Sequence, residues 1–77
     1  STQIRFMLAE AGPVVVDVLD PRGRVVATIA EGHHAAGEHT VRWDGRDRSG
    51  ASVSSGVYFV KARAADEVQT RKITLLK

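Results

Sequence analysis

The chain has 77 residues, of which 43% are hydrophobic, and its eleven basic and nine acidic side chains give a net charge of +2. This length allows one domain at most, and the hydrophobic share excludes a disordered chain. The absence of cysteine excludes disulfides and thiolate metal sites, the absence of a long apolar run excludes a transmembrane segment, and the scattered basic residues make a nucleic-acid partner unexpected.

A polar–apolar alternation runs along the whole chain and predicts β-strands. Two early strands each place three apolar side chains on one face: Ile4, Phe6 and Leu8 in the first, and Val14, Val16 and Val18 in the second. Asp17 lies on the opposite face of the second strand, which follows a break at Gly12-Pro13. Asp20-Pro21-Arg22-Gly23 has proline and glycine where a type I turn prefers them, which predicts a hairpin into a strand over residues 24–30.

The second half of the chain continues the pattern. Residues 31–37 are predicted to form a loop, and a strand follows in which Val41 and Trp43 share a face with His39. A last hairpin is predicted to join strands at 57–64 and 68–76, and a short seventh strand is expected near 51–53. These elements predict an all-β fold: a small immunoglobulin-like antiparallel β-sandwich of six to seven strands, with no helix, formed by residues 1–77 as a single domain.

The segment 43–60 concentrates acidic, serine and aromatic side chains. Asp44 and Asp47 precede glycine-containing turns, where a carboxylate accepts backbone N–H groups. The same oxygens, together with Ser49, suggest a calcium loop, but the EF-hand spacing is not met, so turn capping is the favoured interpretation. Trp43 and Tyr58 are expected to lie in the core rather than to form a carbohydrate-binding platform.

Other combinations of reactive residues have weaker support. The three histidines, His33, His34 and His39, lack the spacing of a structural zinc site and are expected to be solvated. Ser52, His39 and Asp44 can be written as a triad, but no nucleophile elbow or oxyanion-hole pattern accompanies them. No catalytic residue, cofactor or enzyme activity is therefore predicted.

Several short motifs occur in an order that resembles two families. They are T-Q-I-R-F at the start, W-D-G-R-D-R-S-G and S-G-V-Y-F-V in the middle, and R-K-I-T-L-L-K at the end. Together they resemble the C-terminal sorting domain of proteins exported by the bacterial type IX (Por) secretion system, and they are similar to the immunoglobulin-like domain of flagellar hook-capping proteins. The central motif is carried by Trp43, Asp44, Gly45, Asp47, Gly50, Gly56 and Tyr58. Many members have proline before the glycine of G-V-Y, where this chain has Ser54-Ser55.

The resemblance to sorting domains implies a non-catalytic secretion signal at the end of a longer exported protein. Type IX translocon or shuttle proteins would recognise the domain in the periplasm, and an N-terminal cargo domain would reach the cell surface or the medium. The last strand is the expected docking edge, with the residues Arg71, Lys72, Ile73, Leu75 and Lys77. Two alternatives remain open: a structural assembly domain as in hook capping, and an accessory carbohydrate- or cell-wall-binding domain of a hydrolase. The domain is expected to be a monomer or a weak dimer.

Overall fold

Six strands form in the order that the alternation predicts, and the computed structural model describes residues 2–76. The strands are β1 (Thr2–Leu8), β2 (Gly12–Leu19), β3 (Val25–His34), β4 (Gly37–Trp43), β5 (Gly56–Arg63) and β6 (Val68–Leu75). The described residues contain no helix, and the predicted all-β class is confirmed. It follows that residues 2–76 hold no helix of the length and apolar character needed to cross a membrane.

The strands are arranged in two antiparallel sheets. β1 pairs with β4 in a two-stranded sheet, and the larger sheet has the strand order β3-β2-β5-β6. β6 pairs only with β5, so it forms one edge of the larger sheet, as predicted for the last strand. The expected seventh strand near 51–53 is reduced to an isolated bridge between Arg46 and Ser52.

Apolar side chains from both sheets form one core between them. The two alternating triplets predicted for β1 and β2 are all buried. The remaining buried members of the core come from β4, β5 and β6: Trp43, Tyr58, Val60, Ala62 and Leu75. Since each such side chain contributes roughly 1.5–3 kcal/mol when it leaves water, this shared core is the main favourable term that holds the two sheets together.

The β2–β3 hairpin forms at the predicted turn, but β3 is longer than predicted. Gly23 N donates to Asp20 O at 2.9 Å, and Gly23 has a φ of +85°, which an L side chain rarely adopts. β3 then continues to His34, so most of the predicted loop at 31–37 is strand. The prediction failed here because Gly32 and the histidines show no strand alternation, whereas pairing with the start of β2 supplies the hydrogen-bond ladder.

Asp17 faces away from the core, as predicted, but it is only 6% exposed. It lies on the central strand β2, opposite Thr28 of β3 and Lys61 of β5. Thr28 Oγ1 donates to Asp17 Oδ1 at 2.7 Å, and Arg63 Nη2 lies 3.3 Å from Asp17 Oδ2. These two donors offset the cost of taking the carboxylate out of water.

Candidate functional site

Asp44 caps the turn that follows β4. Its Oδ1 accepts a hydrogen bond from Arg46 N at 3.2 Å, and its Oδ2 lies 3.9 Å from Arg46 Nε. Gly45 takes a φ of +78°, in the region that favours glycine, and its carbonyl oxygen accepts a hydrogen bond from Val53 N at 2.9 Å. The first half of the loop therefore closes on its own backbone.

Asp47 holds the second turn of the same loop. Its Oδ1 accepts hydrogen bonds from Ser49 Oγ at 2.7 Å, from Ser49 N at 2.9 Å and from Ala51 N at 3.0 Å. The Ser49 hydroxyl and then the Ala51 amide are the largest causes that lower the pKa of Asp47 below its ordinary 3.8. Gly50 N donates to Asp47 O at 2.9 Å and completes the turn. The carboxylates of Asp44 and Asp47, whose oxygens suggested a calcium loop, therefore accept hydrogen bonds from backbone N–H groups of the turns, which is turn capping.

The two aromatic residues of the segment lie in the core and contact the loop with their polar atoms. Trp43 is 1% exposed, and its Nε1 donates to Arg46 O at 3.0 Å. Its ring meets that of Tyr58 edge to face, with the ring centroids 5.0 Å apart. The Tyr58 hydroxyl donates to Ser54 O at 2.7 Å. A carbohydrate platform needs exposed ring faces, so these rings do not form one.

Gly56 and the serines before it connect the loop to β5. Gly56 starts β5 with a φ of +153°, which an L side chain rarely adopts, and it pairs with Leu75 of β6. Many family members have proline where this chain has Ser54-Ser55. The hydrogen bond from the Tyr58 hydroxyl to Ser54 O still holds the backbone in place here. The central motif thus forms a capped connection between the two sheets.

His39 lies on β4 as predicted, but His33 and His34 do not lie in a loop. His33 and His34 belong to β3, and His34 is half-buried rather than solvated. The rings of His34 and His39 lie 5.0 Å apart, and both rings contact Phe6. Their ring nitrogens lie close to backbone oxygens: His34 Nδ1 is 3.1 Å from Gly32 O, and His39 Nε2 is 2.6 Å from Ala35 O.

No metal or catalytic constellation forms within residues 2–76. In that range, no group of three or more His, Asp or Glu side chains is placed to hold a metal ion. His39 lies near the start of β4 and Asp44 directly after its end, which separates them by about 17 Å of extended chain. The triad written from Ser52, His39 and Asp44 is therefore not assembled.

The residues predicted to dock a partner lie in different environments on β6. Leu75 is 4% exposed and belongs to the core, and Ile73 is half-buried against it. Arg71 and Lys72 are exposed, and neither makes an ion pair with another described residue. Lys77 lies outside the described residues. Of this set, Arg71 and Lys72 are the side chains available for contact, and their role in docking stays a prediction.

A side-chain contact between β6 and β1 was not predicted from the sequence. Gln69 Nε2 of β6 donates to the backbone oxygen of Met7 in β1 at 2.7 Å, so the two strands meet through a side chain although they belong to different sheets. The contact depends on which strands are neighbours, and the alternation of side chains along each strand does not specify that order.

The architecture defines the class of the protein. Facing antiparallel sheets, a buried Trp at a strand end and a Tyr whose hydroxyl bonds a nearby upstream carbonyl are features of an immunoglobulin-like β-sandwich. Residues 1–67 match the model of the FlgD Ig-like domain family. The chain therefore belongs to this family.

Similar proteins agree with this assignment. Over 56 residues the chain is 38% identical to the basal-body rod modification protein FlgD of Salmonella typhimurium (strain LT2) and to that of Salmonella typhi. The aligned segment covers 73% of this chain and 24% of each relative. A crystal structure of FlgD from P. aeruginosa superposes with a TM-score of 0.76 and 32% identity, covering 94% of this chain and 55% of that one. The chain thus spans about a quarter of the length of the curated relatives, and the findings favour the hook-capping alternative over the sorting-domain interpretation.

Proposed function

We propose that this chain is a non-catalytic structural domain that helps to assemble a larger complex, as in a flagellar hook-capping protein. The observation that carries the proposal is the match of residues 1–67 to the FlgD Ig-like family. The loop at 43–60 supports it, because its carboxylates and aromatic rings are engaged in turns and core. The sheet edges and their exposed basic side chains are available for contact.

The contact surface that we propose for assembly includes the outer edge of β6. This strand pairs with β5 on one side only, so its other side presents backbone groups to a partner. Arg71 and Lys72 are exposed there and contribute charge. Such charges mainly set orientation and association rate rather than affinity.

A chimera tests the assembly role. The Ig-like region of Salmonella FlgD is replaced by this chain in a strain that lacks FlgD, and hooks are counted by electron microscopy. We expect hooks to form in the chimera but not with an unrelated β-sandwich of similar length at the same position. A chimera that accumulates in folded form yet makes no more hooks than the unrelated sandwich would count against the proposal.

A sorting role is the second candidate, and it rests on the R-K-I-T-L-L-K motif at residues 71–77, which resembles the end of sorting domains and lies beyond the match to the FlgD family model. The test fuses the chain to the C-terminus of a periplasmic reporter in a host with type IX machinery. Surface display is expected, and it should be lost when Arg71 and Lys72 are both changed to Glu.

This double substitution is sharper than deletion of residues 72–77, because the deletion would also remove Leu75 from the core. Unchanged display of the charge-reversed fusion would argue against recognition through this strand. The absence of display for the unmodified fusion would argue against the sorting role itself.

A further inference from the structure

We propose that the free edge of β1 and the adjoining face of β6 form a groove that binds an extended acidic segment of another polypeptide by strand addition. This goes beyond the proposed assembly role, because it adds the edge of β1, shares only Arg71 with the assembly surface, and names the chemistry of the occupant. It stands whether or not the protein is flagellar.

The first observation is the direction of the backbone groups of β1. β1 pairs with β4 alone, so one side of β1 has no strand beside it. Met7 O points to that open side, where it accepts the hydrogen bond from Gln69 Nε2. In an antiparallel pair, both backbone groups of a residue point to the same side, and the side alternates along the strand. Gln3 and Arg5 therefore present their N–H and C=O groups to the open side together with Met7.

The second observation is that the core-facing side of β6 is only half covered. Gln69 and Arg71 pair with Ala62 and Val60 of β5, which are buried, so they lie on the core side of the sheet. Both are nevertheless exposed, whereas Leu75 on the same side is buried. The smaller sheet is two strands wide, and no third strand covers the first half of β6. No described strand therefore occupies the place where a further strand could pair with β1.

This position is an open groove of about 320 Å³. Phe6, Val60 and Ala62 lie at its floor, and Arg5, Gln69 and Arg71 line its sides. An adjoining space of about 250 Å³ continues past Met7 to Glu38, and there the two guanidinium groups of Arg5 and Arg71 outnumber this one carboxylate. An apolar floor beside the backbone edge of β1, which pairs with no strand on this side, is the arrangement that binds an extended peptide as an added strand.

Charge selects the occupant. Arg5 and Arg71 stand on the two sides of the groove, and neither makes an ion pair with any residue of the described range. A strand with carboxylates at alternate positions would place them between these guanidinium groups, which favour carboxylates. A second copy adding its own β1 edge about Arg5 would set Arg5 against Arg5, a repulsive pair. We therefore commit to an acidic partner segment rather than to a second copy.

The test uses peptides of about eight residues, long enough for one strand, in which Glu alternates with Val, and a matched peptide in which Lys replaces Glu. Each is titrated into the ¹⁵N-labelled full chain. We expect the acidic peptide to shift the amide signals of Gln3, Arg5 and Met7 and to slow their hydrogen exchange. The lysine peptide should bind at least about tenfold more weakly, because its ammonium groups would lie against Arg5 and Arg71 and like charges held together repel.

Two variants separate the groove from general electrostatics. Changing Arg5 and Arg71 together to Glu should reverse the preference, so that the lysine peptide binds about tenfold more tightly than the acidic one. Changing Arg42 and Arg48 together to Glu is the matched control, because both are exposed, neither lines the groove, and the change in net charge is the same. This control should retain the preference for the acidic peptide. The amide spectra of all variants establish that they are folded.

Three results would overturn the inference. One is equal affinity for the two peptides, and another is a set of shifted amides confined to residues outside β1, β5 and β6. The third is protection of the β1 amides that grows with protein concentration in the absence of peptide, since this would identify a second copy as the occupant. Failure of the hook chimera would leave the groove unaffected, so the two proposals fail independently.

Discussion

Trp43 joins the core to the loop after β4 through two kinds of contact. Its ring packs on Tyr58, and its Nε1 donates to Arg46 O at 3.0 Å. We expect Trp43→Ala to cost about 3–5 kcal/mol because it removes the largest fully buried side chain. Against a total stability of roughly 4–12 kcal/mol for a chain of this length, this loss should remove a large part of the stability and lower the urea midpoint strongly. Urea denaturation followed by circular dichroism measures it.

Tyr58→Phe is the matched control for this prediction. It keeps the aromatic ring and removes the hydroxyl that donates to Ser54 O, so it should cost only about 0.5–1.5 kcal/mol. An alanine variant at Trp43 with an unchanged urea midpoint would mean that the indole does not hold the core.

Asp20 and Asp47 make stability depend on acidic pH. The backbone amide of Arg24 is the largest cause that lowers the pKa of Asp20, as the Ser49 hydroxyl is for Asp47. Because the folded-state pKa lies below the ordinary 3.8, the contribution is present above that value and is lost as the pH falls through the lowered pKa. The thermal midpoint should therefore drop across this window.

The measurement is a set of thermal melts between about pH 6 and pH 2. Asp47→Asn is the control, since its amide oxygen still accepts hydrogen bonds but does not titrate in this range. The variant should lose less stability on acidification than the parent protein. Parallel pH profiles would exclude Asp47 as a source of the effect.

At the scale of elements, β2 and β3 are joined across a bulge by a side-chain contact. The register shifts between Val16 and Asp17, and Thr28 Oγ1 donates to the buried Asp17 carboxylate. Thr28→Val keeps the side-chain shape and removes this donor, so we expect a loss of about 1–3 kcal/mol in the free energy of unfolding. Arg63→Gln should cost less than about 1 kcal/mol, because the Arg63 side chain is 51% exposed. A larger loss of unfolding free energy for Arg63→Gln than for Thr28→Val in urea titrations would contradict this account of Asp17.

β6 carries the core residue Leu75 and the exposed charge of Lys72, and truncating each to alanine should change the stability of the protein by different amounts. Leu75→Ala is expected to cost about 2–5 kcal/mol because Leu75 packs in the core. Lys72→Ala should stay within about 0.5 kcal/mol, as for other exposed positions. Differential scanning calorimetry of both variants checks the contrast. Equal effects would mean that β6 is not anchored through Leu75.

The sequence predicts those elements whose alternation is strong. The buried triplets of β1 and β2 and the turn at Asp20-Pro21-Arg22-Gly23 lie where predicted, because one buried face imposes a period of two. The end of β3 was not predicted, since pairing with β2 rather than its own residues makes it a strand. The burial of Asp17 and the contact from Gln69 to Met7 depend on neighbouring strands, and no local pattern encodes them.

At the scale of the whole molecule, the two sheets are built from distant parts of the chain. Thr2 pairs with Trp43 and Val15 with Arg63, so the β1–β4 and β2–β5 ladders cannot form until long loops have closed, although the β2–β3 and β5–β6 hairpins are local. We expect folding on the millisecond-to-second scale typical of β-sandwiches, with a single phase. Stopped-flow circular dichroism after dilution from urea gives the rate. Completion within microseconds would show that local contacts dominate.

Trp43 also gives the protein an intrinsic optical signal. It is the one tryptophan of the chain, and the one tyrosine lies against it, with ring centroids 5.0 Å apart. Because the indole is buried beside Tyr58, we expect it to receive excitation energy from Tyr58 and to emit at shorter wavelength than in water. Loosening of the loop at Arg46 or of the core would change the colour and intensity of this emission. An unlabelled sample can therefore report whether a chimera or charge variant retains the native sandwich.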